Sequence, residues 1–455
     1  MSSISSQTKT NKPQKLARDF SSFLADNVRA RERTGLKMYY KYLTTPGIVS
    51  LGGGFPPVNV FPFKSTSWTV QNAATSGNAS TFQIPAQNSR GALGLEKALQ
   101  YGNSDGHPEL LAVLQAHVAK FLRPQYDDYR VIVTSGSING NMMAFSILGN
   151  KGDYFLVEEY TFSASLEQIR VCGVTPLPVK CDAEGMVPED IIKVTREARA
   201  QGKIVKAVYT IPTAQNPLGT SMGIERRKAF LQACKTLDIM IIEDDPYQAL
   251  ELPAFTPTDA TTPDSLLEST YTHPGLYGLR PPILSFDDEG RIIYLYTFSK
   301  IFAPGIRLGF AVANKQFAEK MVMVGEQHSS PNGISQAIVT KLLTEWGSEG
   351  LHVHMQGLQR FYTHKRNVVV KAALAAFAPR RAGDGACAEF VIPSGGMFVW
   401  LKVNLPPNAP PGTLWKLFEL ASFAPDEKLI KGMTIFGDAC REFGCGTSTL
   451  MFPKL

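Results

Sequence analysis

Between about Tyr101 and about Asn314 the chain alternates short apolar, β-rich runs with helix-length segments. The runs are "RVIVTS", "YFLVEE", "TPLPVK", "KAVYTI", "IMIIED", "IIYLYTFS" and "LGFAVA". Amphipathic stretches such as "NGNMMAFSILGN", "SLEQIRVCG", "PEDIIKVTREARAQ" and "IERRKAFLQACKTL" separate several of them. No other feature narrows the fold as far. Apolar strands alternating with helices predict an α/β fold, with a mostly parallel central sheet covered by helices on both faces. Ligands of such sheets bind beyond the carboxyl ends of the strands. The residues just after each strand are therefore the place to look for chemistry.

At 455 residues the chain is too long for one simple core, which predicts two lobes. Residues 71–315 form the large, ligand-binding domain. Its segment 252–289 carries Pro253, Pro257, Pro263, Pro274, Pro281 and Pro282, a density that forbids a long helix or central strand and predicts a surface insertion or lid-like loop. Residues 316–455 change texture, to long amphipathic helices and one strand, "GGMFVWLKVNL", and predict a smaller α+β domain. Residues 29–70 read as an N-terminal segment packing on that small domain. Residues 1–28, rich in Ser, Thr and Lys, read as a disordered tail and only weakly as an organelle-targeting one.

The net charge of +6 is concentrated at the start, where Lys9, Lys12, Lys15 and Arg18 precede the first acid, Asp19. The remainder is near +2 and makes no case for nucleic acid. No apolar run is long enough to predict a membrane span. The six cysteines (Cys172, Cys181, Cys234, Cys387, Cys440, Cys445) show no zinc-ligand spacing, so no metal site is expected. They read as buried, reduced thiols of a cytoplasmic protein.

The strand ends carry a consistent set of polar groups. Thr134-Ser135-Gly136-Ser137 opens onto a helix, where free N–H groups suit a phosphate, although turn and cap chemistry explains such a stretch as well. Tyr160 follows "YFLVEE" and is either core packing or a stacking partner for a flat ring. Asn216-Pro217 is a turn signal in its own right. Glu243, Asp244 and Asp245 follow an apolar run; at most some are expected to point into the sheet end, with the others facing solvent. Lys300 and Arg307, taken singly, are solvated strand ends. Taken together, the groups suit pyridoxal 5′-phosphate. Its aldehyde needs a lysine, its ring nitrogen a carboxylate, and its phosphate an arginine with backbone donors.

On these residues the sequence resembles the fold-type I, class I aminotransferases, and within them the aromatic, kynurenine and 2-aminoadipate group with its fungal members. "TFSKIFAPGIRLGF", "EDDPYQAL", "IPTAQNPLGTSM", "VTSGSINGNMMAF", "ALQYGNSDGHPELL" and "SLGGGFPPVNVFPF" carry the resemblance. It implies that Lys300 forms the Schiff base with the cofactor and shuttles the proton. It implies that Asp244 pairs with the ring nitrogen, Asn216 and Tyr247 bond the phenolic oxygen, and Tyr160 stacks on the ring. Ser137, Ser299 and Arg307 would hold the phosphate, with Gly136 and Ile138 giving backbone donors. Tyr101 would reach the phosphate of a second subunit in a homodimer, and Gly54 and Asn216 would meet the substrate. The implied reaction moves an amino group from an aromatic or long-chain amino acid to a 2-oxo acid, by a ping-pong mechanism. A C–S lyase or β-elimination on the same fold, or a homologue that only binds, are the alternatives. Two departures stand out. Ile138 offers only its backbone where relatives have a polar side chain. Lys454 falls where relatives place a carboxylate-clamping arginine, which predicts a small domain short at its C-terminus.

Overall fold

The computed structural model describes residues 14–33, 45–48, 54–73, 79–88, 92–256, 271–378, 387–404 and 426–442. An antiparallel hairpin comes first, β1 (Thr66–Gln71) with β2 (Ala79–Ile84). The central sheet then uses all seven apolar runs: β3 (Tyr129–Thr134), β4 (Tyr154–Glu158), β5 (Thr175–Val179), β6 (Val205–Thr210), β7 (Met240–Asp244), β8 (Ile292–Thr297) and β9 (Gly309–Asn314). Their order across the sheet is β3-β9-β8-β7-β6-β4-β5. Every pairing is parallel except those of β9, which runs antiparallel to both β3 and β8.

Strand pleating sends alternate residues to opposite faces. Val131, Ile241 and Tyr294 join one core with helices α1 (Pro108–His117), α4 (Pro188–Ala200) and α5 (Ile224–Leu237). Ile132, Ile242 and Leu295 join the other core with α2 (Ser137–Leu148), α3 (Ser163–Val171) and α6 (Lys315–Gly325). Both faces of the sheet are therefore covered, as its unbroken apolar strands require. Beyond the sheet, α7 (Gly333–Phe377) breaks at Gly347 (φ 58°, ψ −167°) and packs against α8 (Asp426–Glu442), with Phe377 and Phe436 edge to face at 5.7 Å.

Five expectations need correction. The disordered tail does not reach residue 28. Phe20, Leu24, Ala25 and Val28 are buried in the α2/α6 core, and Arg18 makes a two-pronged ion pair with Asp238 at 2.9 and 3.0 Å. Four apolar side chains spread over two short helical turns, Ser21–Phe23 and Asp26–Arg29, and their flanks are enough to dock such a segment. The proline-rich stretch is not all surface loop: Leu276, Ile283 and Leu284 are buried, although 257–270 lie outside the described residues. "GGMFVWLKVNL" is barely a strand: among the described residues Lys402–Val403 pairs with Ala388–Glu389, and Gly395 makes a single bridge to Glu251. Its start is instead drawn onto the large domain, where Ser394 and Gly396 amides donate to Gly219 and Leu250 carbonyls. Finally, Cys172 and Cys181 are only half-buried, whereas Cys234, Cys387 and Cys440 are buried; Cys445 lies outside the described residues.

The acidic triplet departs furthest from expectation. Glu243, Asp244 and Asp245 are all buried, with none facing solvent. Glu243 survives there by accepting the Ile283 and Leu284 amides at 2.7 and 3.0 Å, with the wholly buried Arg227 3.8 Å away. This is where the proline-rich segment is fastened. Burial, joined by the charge of Asp245, still pushes the Glu243 carboxyl up to about 8, and burial pushes Asp245 up to about 7. The folded chain thus keeps protons that the unfolded chain releases near pH 4. The stability these two groups contribute is fully present below that pH and is lost as pH rises through the folded values. The unfolding temperature should drop between about pH 5.5 and pH 8, with a shallower slope in Glu243→Gln. An equal slope in the two proteins would refute this account.

Candidate active site

Strand β3 ends at Thr134 and α2 begins at Ser137, leaving Ser135 and Gly136 to make the turn. No side chain caps this helix, so first-turn amides remain open to a ligand. Gly136 has φ 88°, and a Cβ there would lie 2.6 Å from Nη2 of Arg307. Only glycine allows the arginine to lie against the turn. Arg307 is itself left-handed, with φ 46° and ψ 48°. Its Nη1 donates to the Pro304 carbonyl (2.9 Å) and to Ser299 Oγ (3.3 Å), while Nη2 donates to the Ser135 carbonyl (3.3 Å). The guanidinium thus joins a hydroxyl to the start of α2, and beside it Arg307, Ser135, Ile138, Asn139 and His328 line a cleft of about 400 Å³. That donor set suits a phosphate. Gly136→Ala should push the guanidinium away and weaken cofactor binding about 10-fold, since a charged hydrogen bond is worth ~1.5–3 kcal/mol. Equilibrium titration would read the change, and parental affinity would contradict the assignment.

Asp244 lies at the end of β7, 2% exposed. Its Oδ2 accepts from Asn141 Nδ2 at 2.7 Å and from the Tyr209 hydroxyl at 2.9 Å. Ser165 Oγ in turn donates to the Tyr209 oxygen at 3.0 Å. Oδ1 has no hydrogen-bond partner among the described residues. Burial pushes the carboxyl up to about 6, against the lowering effect of Asn141, Tyr209 and the nearby Ser137 hydroxyl. A buried carboxylate oxygen left open in this way calls for a donor. A protonated ring nitrogen is such a donor, so the residues present fit pyridoxal phosphate.

Lys300 ends a short 3-10 turn, Phe298–Lys300, directly after β8. It is half-buried, and its Nζ lies 5.7 Å from the centre of the Tyr247 ring. Burial, then the charge of Arg307, lowers its pKa. Tyr247 is buried, which raises the pKa of its phenol, and its hydroxyl oxygen accepts from Asn216 Nδ2 at 3.4 Å. The Asn216–Pro217 peptide bond is cis. Tyr160 is 47% exposed, 5.6 Å from the Trp400 ring, and its carbonyl accepts from Gln215 Nε2 at 2.7 Å. That bond ties it to the loop bearing Asn216.

Gly136, Ser299 and Arg307 are therefore brought together, as are Lys300, Tyr247 and Asn216, while Ser137 follows Gly136 with its hydroxyl near Asp244. Tyr101 and Gly54 are not joined to them. Tyr101 is 60% exposed and meets Phe55 edge to face at 6.2 Å, while Gly54 (φ +55°) has open space on its Cβ side. Lys454 lies outside the described residues. Sequence reasoning missed Asn141, Ser165 and Tyr209. A signal existed for the first: Asn141 stands four residues after Ser137, on the same helix face, and an asparagine inside an apolar helix needs a partner.

The profile of the family described as aminotransferase class I and II matches residues 58–447. An aromatic amino acid aminotransferase of Schizosaccharomyces pombe is 32% identical over 85% of this chain and 81% of its own length. An L-tyrosine:2-oxoglutarate aminotransferase of Tapinella panuoides is 32% identical over 85% of this chain and 74% of its own. The crystal structure of aminotransferase Aro8 from Candida albicans superposes with a TM-score of 0.82 at 29% identity, covering 94% of this chain and 99% of that one. With the site built as above, the chain belongs to the class I and II aminotransferases, enzymes whose cofactor is pyridoxal phosphate.

Proposed function

We propose that this aminotransferase takes the amino group of an aromatic or related long-chain amino acid and delivers it to 2-oxoglutarate in ping-pong order. One observation carries the reading: the Lys300 amine, the open Asp244 Oδ1 and the Arg307–Gly136 turn stand at the ends of neighbouring strands. The named activities of the S. pombe and T. panuoides relatives support the donor class, and the latter the acceptor. So does the aromatic character of the surroundings, where Phe398 packs on Tyr247 and Trp400 on Tyr160.

In this reading Lys300 holds the cofactor aldehyde and Asp244 Oδ1 its ring nitrogen. Asn216 and Tyr247 bond its phenolic oxygen, and Tyr160 covers the ring. Ser137, Ser299, Arg307 and the Gly136 and Ile138 amides take the phosphate. Bound there, pyridoxal phosphate supplies the electron sink that lets an amino acid lose its α-proton. The chain's own work is to hold and move protons. A lowered pKa makes the Lys300 amine available as the base that takes the α-proton at Nζ and returns it. The donors on Asp244 Oδ2 favour its ionised form, which keeps the ring nitrogen protonated. The raised phenol of Tyr247 stays protonated and able to donate.

We further propose a homodimer in which Tyr101, exposed and apart from its own Arg307, reaches the phosphate of the partner's site. A cytoplasmic location suits the free thiols Cys172, Cys181 and Cys234. The test is a panel of amino acids offered singly to the cofactor-loaded protein. Tyrosine, phenylalanine and kynurenine should convert the bound cofactor to its amino form faster than aspartate or alanine, without ammonia, and 2-oxoglutarate should restore the starting spectrum. Release of ammonia and pyruvate would replace this reading with an eliminating enzyme.

A further inference from the structure

The turn that presents Lys300 is braced on both sides. Before it, the Thr297 hydroxyl accepts the Ser299 amide at 3.2 Å, and the Ile301 and Phe302 amides both donate to the Phe298 carbonyl. After it, the Ile301 carbonyl meets Nε2 of His354 at 2.7 Å. His354 projects from α7 and is buried, with the rings of Phe302 and Trp346 6.0 and 4.9 Å away. Its second nitrogen, Nδ1, faces the Ala73 amide at 3.0 Å.

These two contacts leave one protonation state. A backbone N–H only donates and a carbonyl only accepts, so the ring is neutral, with its proton on Nε2 and its lone pair on Nδ1. Burial acts in the same direction, lowering the pKa of the ring against the raising effect of the Ile301 carbonyl. Beside it, Asn72 Nδ2 donates to the Gly350 carbonyl at 2.9 Å. The residues leaving β1 are thus docked on α7 at the point from which the imidazole reaches the Lys300 turn.

We propose that His354 is a positioning residue for the reaction: its Nε2–H holds the Ile301 carbonyl, and so fixes the backbone that presents the Lys300 amine, while Nδ1 fastens the same point to the N-terminal hairpin. The inference rests on Lys300 being the reacting amine. It touches no reacting atom and acts through one peptide unit. Misplacement of a reacting group by about 1 Å can cost about 10²-fold in rate, so a single brace next to that group has leverage.

Two substitutions separate the halves of the contact. In His354→Gln the side-chain amide nitrogen reaches the Nε2 position and keeps the bond to Ile301. In His354→Asn the side-chain oxygen takes the Nδ1 position, which keeps Ala73 and loses Ile301. Hydrogen exchange of the full cofactor-loaded chain, read by mass spectrometry, should show faster exchange over Phe298–Phe302 in His354→Asn and near-parental exchange in His354→Gln. The half-reaction rate constant should fall about 10- to 100-fold in the Asn variant and recover to within about 3-fold in the Gln variant, at little-changed KM. Equal losses in both variants, or unchanged exchange in His354→Asn, would overturn the proposal. The exchange readout does not depend on what Lys300 does, so its outcome is separate from that of replacing the lysine.

Discussion

Lys300→Ala should lose the visible absorption band of the bound cofactor and the half-reaction together. The lysine has two tasks in the proposed function, covalent anchor and base. A positioned general base alone contributes about 10²–10⁴-fold, so turnover should fall by at least about 10³-fold. The fold should survive. Lys300 is half-buried and closes a short turn whose shape is set by Thr297, Phe298 and the Ile301 carbonyl, so shortening its side chain leaves those contacts in place. Absorbance during cofactor titration and circular dichroism of the same sample separate the two outcomes. A variant that stayed coloured and active would remove Lys300 from the site.

Asp244→Asn should be nearly as damaging for a different reason. The asparagine oxygen can stay with Asn141 and Tyr209, as Oδ2 does now. The amide nitrogen then falls where Oδ1 lies open, and presents a donor where an acceptor is needed. Losing one preorganised partner of developing charge costs about 10²–10³-fold in rate. That loss is expected here, with the unfolding temperature close to the parental one. Asp244→Ala would be a poorer test, because it strands two buried donors at ~1–3 kcal/mol each. Retained turnover in the Asn variant would show that the ring nitrogen needs no charge.

How much of this was legible beforehand depends on distance along the chain. All seven strands were readable because each is an apolar run bounded by turn residues, a local property. Lys300 and Arg307 were readable for the same reason, being close together on one reversal. The partners of Asp244 were harder. Tyr209 and Asn141 come from another strand and another helix, and nothing local marks a tyrosine in "KAVYTI" as polar in purpose. The triplet Glu243-Asp244-Asp245 was misjudged because burial of a carboxylate depends on donors supplied from afar. Ile283 and Leu284, forty residues away, supply those of Glu243. His354 was invisible in the sequence, since its two contacts lie at residues 73 and 301.

Strand β9 pairs antiparallel with β8, Thr297 standing opposite Gly309. Lys300 and Arg307 both lie within the reversal between these two paired residues. Chain length there is consequently under the same constraint as chain identity. Adding or removing one residue would slip β9 by one position, and a slip of one exchanges the two faces of a strand. Phe310 and Val312 would turn toward the helices that from β9 now receive the small Ala311 and Ala313, where the packing has no room for them. The reversal works as a molecular ruler whose length the sheet itself enforces. Variation in this enzyme's reach toward substrates must then be sought in segments whose length is free.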